Sequence, residues 1–185
     1  MSQYNIAVLV GSLRRESFNK RLARAVVKLF PDDLKARIAE IGALPLYNQD
    51  QDADPPAATK QLKSEITTAQ GLLFVTPEYN RSIPGVLKNA LDHGSRPYGK
   101  NSWAGKPTAI IGISPGATGT AMAQQHLRNV LAYLDAPVMG QPEVFLQHRA
   151  GLLTDDDSIG TDSLGFMQKW VDCYAAWVRH HASGA

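Results

Sequence analysis

The sequence predicts an α/β protein of the doubly wound type, with one five-stranded parallel sheet of order 2-1-3-4-5. Three observations predict it. Short apolar runs alternate with helix-period segments along the chain. Four of the five runs are unbroken rather than alternating, as expected of strands covered on both faces. No repeat, low-complexity tract or long linker divides the 185 residues. A chain of that length is expected to form one domain, 1–185. It can bury roughly 70% of its unfolded surface without metal or disulfide.

The elements follow in order. Residues Tyr4–Val10 read as a strand ending at Gly11. Leu22, Ala25, Val26 and Leu29 then recur at the spacing of a helix face. Leu34–Ile41 alternates as a second strand, followed by a Pro/Asp-rich loop to about Pro56. Leu62, Ile66 and Ala69 mark a second helix, and Leu72–Thr76 is an apolar third strand. Pro84 suits the first turn of a third helix, where its missing N–H is not needed. Thr108–Ile113 is the fourth strand, and Leu127, Val130, Leu131 and Leu134 mark the fourth helix. Val138–Leu146 is a weaker fifth strand. Phe166, Trp170, Cys173, Tyr174 and Trp177 give a final amphipathic helix. Five strands in this order make a flavodoxin-like three-layer sandwich. Ligands in such sheets bind beyond the carboxyl ends of the strands, near the switch between strands 1 and 3.

Composition excludes several classes. Nineteen basic against seventeen acidic residues is too balanced for a nucleic-acid binder. With 44% hydrophobic residues the chain is not intrinsically disordered. The single cysteine, Cys173, excludes an intramolecular disulfide and a cysteine-cluster metal site. No signal peptide or membrane span is visible, so a cytoplasmic location without a membrane partner is expected. The charge is uneven. Residues 1–37 hold eight Lys/Arg against three Asp/Glu, whereas residues 38–185 hold eleven against fourteen.

The loop after the first strand is Gly11-Ser12-Leu13-Arg14-Arg15-Glu16-Ser17-Phe18-Asn19. It is neither a Walker A loop nor a G-x-G-x-x-G turn. It supplies two hydroxyls, an amide, a guanidinium and the free N–H groups of a helix start. Those donors suit a phosphate monoester. Ser17 alone reads equally as a simple helix cap. Arg15, Arg21 and Arg24 read as surface charges. The loop after the third strand is Thr76-Pro77-Glu78-Tyr79-Asn80-Arg81-Ser82-Ile83-Pro84-Gly85. Two prolines stiffen it, so its backbone can border a planar heterocycle. Thr76-Pro77 stands where a response regulator would carry its phosphoacceptor Asp.

Together the two loops resemble the NAD(P)H-dependent FMN reductases, which include bacterial quinone and chromate reductases and related azoreductases. The matching motifs are G-S-x-R-x-x-S-x-N at Gly11–Asn19 and P-E-Y-N at Pro77–Asn80; Ser82–Asp92 also matches. The resemblance covers about residues 4–146. It implies FMN as cofactor, NADH or NADPH as donor, and a ping-pong transfer to quinones, with chromate, azo compounds or free flavin as further acceptors. It implies that Ser12, Leu13, Arg14, Ser17, Phe18 and Asn19 hold the FMN phosphate. Pro77, Glu78, Tyr79 and Asn80 face the ring, with Ser114 as a third contact. Two features depart from the pattern. Pro115 has no N–H, so its loop must contact the ring differently or rely on Gly116. Glu16 fits only if it points outward or pairs with Arg15. The resemblance also implies a homodimer or homotetramer.

No acid–base pair or nucleophile stands out, which suits a protein whose cofactor carries the chemistry. Tyr79 and Asn80 are candidates for seating the acceptor. Arg81 and Arg96 read either as attractors of an anionic acceptor or as solvated or interface charges. The Asp155–Asp157 run and the triad Asp50, Asp52 and Asp54 fail the calcium-loop pattern and read as solvated loops. The five histidines show no zinc spacing. A flavodoxin-type electron carrier is the competing function. Against it stand the absent acidic surface and the absent Thr/Ser-rich phosphate loop.

Overall fold

The computed structural model describes residues 3–182. Five parallel strands form one sheet in the order β2-β1-β3-β4-β5. They are β1 (Tyr4–Val10), β2 (Leu34–Ile38), β3 (Gly71–Val75), β4 (Thr108–Ser114) and β5 (Phe145–Gln147). Between and after them come α1 (Phe18–Val27), α2 (Ala57–Thr68), α3 (Gly85–Ser95), α4 (Ala121–Tyr133) and α5 (Thr161–Ala182). Among the described residues no helix is long and apolar enough to cross a membrane.

The two-residue period of a strand sorts the core into two layers. Ile6, Val8 and Val10 of β1, Leu73 and Val75 of β3, and Ala109, Ile111 and Ile113 of β4 face α1 and α5. Ala7, Leu9, Leu72, Phe74 and Ile110 face α2, α3 and α4. Leu22, Ala25 and Val26 are fully buried on α1, as the helix spacing predicts. On α5 the buried stripe is Met167, Trp170, Val171, Tyr174, Ala175 and Val178. Phe166 lies off that stripe and is 52% exposed.

Both edge strands are shorter than the sequence suggests. The β1–β2 ladder ends at Val8 opposite Ile38. A last bond joins the Ala39 N–H to the Val8 carbonyl at 2.9 Å. The chain then leaves the sheet to bury Ala39, Ile41 and Leu44 in the α2–α4 layer. At the other edge, Thr108 meets the chain first, donating to Pro137 O and accepting from Met139 N–H. Pro142 cannot donate, and pairing resumes only at Phe145. Side chains satisfy the carbonyls in between: Trp170 donates to Pro142 O at 3.1 Å and Gln124 to Val144 O at 2.8 Å. Pro84 sits just outside α3, in extended backbone at its N-cap rather than in its first turn.

The basic N-terminal region is partly neutralised by the run read as a solvated acidic loop. Arg21 and Arg24 both reach Asp157 at 2.6 Å, and Lys28 lies 3.3 Å from Asp156. Arg179 holds Asp33 with two bonds, at 2.8 and 2.7 Å. The Arg21 hydrogen bond is the main cause holding the Asp157 carboxyl below its ordinary pKa. A carboxyl lowered in the folded state stabilises the fold above its unfolded pKa, and that contribution is lost as pH falls. Asp157→Asn is therefore expected to lower the urea midpoint at pH 7. The gap to the parent protein should close on acidification below about pH 4, near the unfolded carboxyl value. A gap independent of pH would contradict the assignment.

Candidate functional site

The carboxyl ends of β1, β3 and β4 open into a cleft of about 270 Å³. Its walls are Ser12, Arg14, Ser17, Phe18, Asn19, Pro77, Glu78, Tyr79, Ile113, Ser114 and Pro115. Seven of the expected residues thus converge from three loops, joined by Phe18 and Asn19 at the start of α1. The loop after β1 lies tight against that after β3, with Gly11 N–H bonded to Val75 O at 2.9 Å. A Cβ on Gly11 would come within 3.1 Å of the Thr76 hydroxyl, 3.2 Å of Leu87 and 3.3 Å of Pro77.

The helix start is built as an anion site. Ser17 is the N-cap of α1, and its hydroxyl accepts from Lys20 N–H at 3.3 Å. The N–H groups of Phe18 and Asn19 have no acceptor inside the helix. No acidic residue occupies the first turn of α1 to offset the positive end of the helix dipole. Ser12 is 5% exposed and its hydroxyl has no partner among the described residues. Arg14 has no carboxylate partner among them, and its guanidinium lies 5.7 Å from the centroid of the Phe18 ring. Glu16 is turned to solvent and pairs with Arg15 at 3.6 Å, so its charge is directed outward.

The Asn19 side chain also braces the helix start. Its side-chain amide donates to Ile113 O at 2.9 Å and accepts from Ile113 N–H at 3.1 Å. Its backbone N–H and the second hydrogen of its amide remain for a ligand. Leu13 is 54% exposed and lies against Gly42, off the cleft wall. Ser114 presents a hydroxyl that already accepts from Gly116 N–H at 3.1 Å. The N–H that was expected to replace that of Pro115 is therefore engaged.

The loop after β3 is held from α4. The Glu78 carboxylate accepts from the N–H groups of Met122 and Ala123, at 3.0 and 3.1 Å, capping α4. Tyr79 and Ser82 exchange two backbone bonds of 3.0 Å. The two residues between them, Asn80 and Arg81, have φ of 52° and 65°. This is the hairpin turn that needs left-handed backbone at both central positions. Asn tolerates it, whereas Arg81 is strained by about 1 kcal/mol or more. Ser82 Oγ lies 2.9 Å from His126 Nδ1, which ties the turn to α4. Arg81 pairs with Glu78 at 3.6 Å.

Asn80 and Arg81 lie beside the cleft rather than on its wall. Arg96 is remote from its lining; it donates to the Tyr47 hydroxyl at 2.8 Å and pairs with Asp52 at 3.7 Å. No group of His, Cys, Asp and Glu among the described residues has a metal-holding arrangement.

The sequence profile of the NADPH-dependent FMN reductases matches residues 4–151. The chain belongs to the NADPH-dependent FMN reductase family. A 2-hydroxy-1,4-benzoquinone reductase from Burkholderia sp. is 55% identical over 175 residues, covering 94% of this chain and 96% of that protein. A quinone reductase from Pseudomonas putida is 50% identical over 181 residues, 97% of each. Among solved structures, FerB, a flavoenzyme NAD(P)H:(acceptor) oxidoreductase from Paracoccus denitrificans, has a TM-score of 0.93 at 42% identity. The likeness covers 96% of this chain and 98% of that one.

The cleft of this FMN reductase fits a flavin mononucleotide by its donor set. One end offers hydroxyls, free N–H groups and an unpaired guanidinium for a phosphate. The other offers the flat, rigid faces of Pro77 and Tyr79. Its volume lies slightly below the ~300 Å³ at which small-ligand sites begin, which suits partial enclosure with one face left open. Two histidines were not found from sequence. His126 holds the hairpin, and the His148 ring stacks on Phe18 with centroids 3.8 Å apart. The signal for His148 was its place just past β5, at the carboxyl edge where ligands bind.

Glu78→Ala removes the acceptor for two N–H groups of α4 and the partner of Arg81. It is expected to cost about 1–2 kcal/mol in urea unfolding, as loss of a side-chain helix cap does. An unchanged midpoint would show that the carboxylate does not cap α4.

Proposed function

We propose that this protein is an FMN-dependent NAD(P)H:quinone oxidoreductase. The observation that carries the reading is the unopposed donor set at the α1 N-terminus, facing a stiff wall across one cleft. Bound there, FMN would supply hydride acceptance from a nicotinamide and two-electron delivery to an acceptor. The chain's own residues bind and orient. Ser12, Arg14, Ser17 and the N–H groups of Phe18 and Asn19 hold the phosphate. The backbone of Pro77 to Asn80 borders the ring, and Ser114 closes the third side. Tyr79, 52% exposed at the rim, offers its ring to a stacked acceptor. Asn19 and Glu78 position: one anchors the phosphate helix to β4, the other anchors the ring loop to α4.

Quinones are the favoured acceptors, on the names of the relatives. Chromate, azo compounds and free flavin form the wider set to be compared. Leu46, Tyr98 and Tyr133, each more than 80% exposed, support assembly as a homodimer or homotetramer. A cytoplasmic location fits a reaction that needs reduced nicotinamide.

The purified protein is expected to be yellow and to bleach anaerobically on adding NADH or NADPH, with colour returning on adding a benzoquinone. Bleaching only through a partner reductase would instead make it an electron carrier. Arg14→Ala is expected to weaken FMN binding by about one to two decades in Kd, the range of a lost charge-assisted contact. Titration of flavin fluorescence measures it, and an unchanged Kd would remove Arg14 from the phosphate site.

A further inference from the structure

Eight of the ten arginines have a carboxylate partner among the described residues: Arg15, Arg21, Arg24, Arg37, Arg81, Arg96, Arg128 and Arg179. Arg14 and Arg149 have none. These two are 135 residues apart in sequence, yet one aromatic stack links them. Arg14 lies over Phe18 at 5.7 Å. Phe18 stacks on His148 at 3.8 Å with an interplanar angle of 25°. Arg149 is the next residue.

Arg149 is also tethered. Its Nε and Nη2 donate to Gln147 Oε1 at 3.2 and 2.8 Å. Gln147 Nε2 in turn donates to Pro115 O at 3.2 Å, on the cleft wall. The backbone N–H of His148 donates to Ser114 O at 2.8 Å, fixing the exit of β5 against the exit of β4. An exposed arginine with no ionic partner ordinarily loses side-chain entropy for little gain when held in place. Here a neutral amide fixes it without cancelling its charge. Three carboxylates are already engaged elsewhere: Glu16 by Arg15, Glu143 by Arg128, and Glu78 by α4.

We propose that Arg149 is a second phosphate-binding arginine, which together with Arg14 holds a phosphomonoester dianion at the β5 side of the cleft. The proposal rests on reading the cleft as a flavin mononucleotide site. Two sources carry this chemistry there: the 5′-phosphate of the flavin and the 2′-phosphate of NADPH. Gln147 acts as a positioning residue, holding the guanidinium toward Pro115.

The test compares ligand pairs that differ by one phosphate, on the full chain freed of flavin. The pairs are FMN against riboflavin, and adenosine 2′,5′-bisphosphate against adenosine 5′-monophosphate. Arg149→Ala is expected to weaken the member of one pair that carries the extra phosphate by about tenfold, in the range of a charge-assisted contact, and spare the other member. Loss with FMN assigns the flavin phosphate; loss with the bisphosphate assigns the dinucleotide. Arg149→Lys should recover part of the loss. Gln147→Leu, which keeps the charge and removes the tether, should lose less than Arg149→Ala in the same pair. Equal weakening of both members of a pair, or no change in either pair, overturns the role of Arg149. Failure of the parent protein to prefer FMN over riboflavin overturns the cleft reading itself.

Discussion

Both ends of the Asn19 amide are taken by the backbone of Ile113. That pair of bonds fixes where α1 begins relative to β4, and the site depends on it. Parallel strands all end on the same side of the sheet, so three loops must meet there. Meeting is not enough to make a phosphate site. The N–H groups of a helix start must also aim into the gap, and a buried, doubly bonded amide sets that aim. In a low-dielectric surrounding such a pair is strong when satisfied and costly when half-broken. The motif position of Asn19 suggested a ligand contact for its amide; its geometry adds the role of a support.

The parts of the fold legible in the sequence are those buried on both faces. β1, β3 and β4 are continuous apolar runs because helices cover both sides of them, and their bounds differ from expectation by one residue at most. β2 and β5 lie at the edges, where burial is partial and no continuous pattern is imposed. Ile41 looked like the end of a strand because it is apolar. It is buried, but in the helix layer beyond the sheet. Val138 looked like the start of one, and it makes a single bridge before Pro142 interrupts the ladder.

The site divides in the same way. Its two loops were readable because each is a contiguous string of donor or stiff residues. What holds them was not readable, because it comes from elsewhere in the chain. His126 and the first N–H groups of α4 brace the hairpin, and His148 stacks on Phe18. The charge pattern was legible as a count and misleading as a field. Part of the N-terminal excess is cancelled at short range by Asp156 and Asp157. Arg14 and the helix end carry the positive potential that faces the cleft directly.

The bonds that complete the phosphate site also span most of the chain. Asn19 waits for Ile113 and Phe18 for His148, separations of 94 and 130 residues. Long-range closures of this kind are slow to form and come late. A ribosome that has released only the first hundred residues has made both signature loops and neither of the anchors at Ile113 and His148. The cradle is thus assembled only after residues 113 and 148 have emerged. Cofactor capture therefore belongs to the finished chain, and a truncated product would carry the motifs without the site.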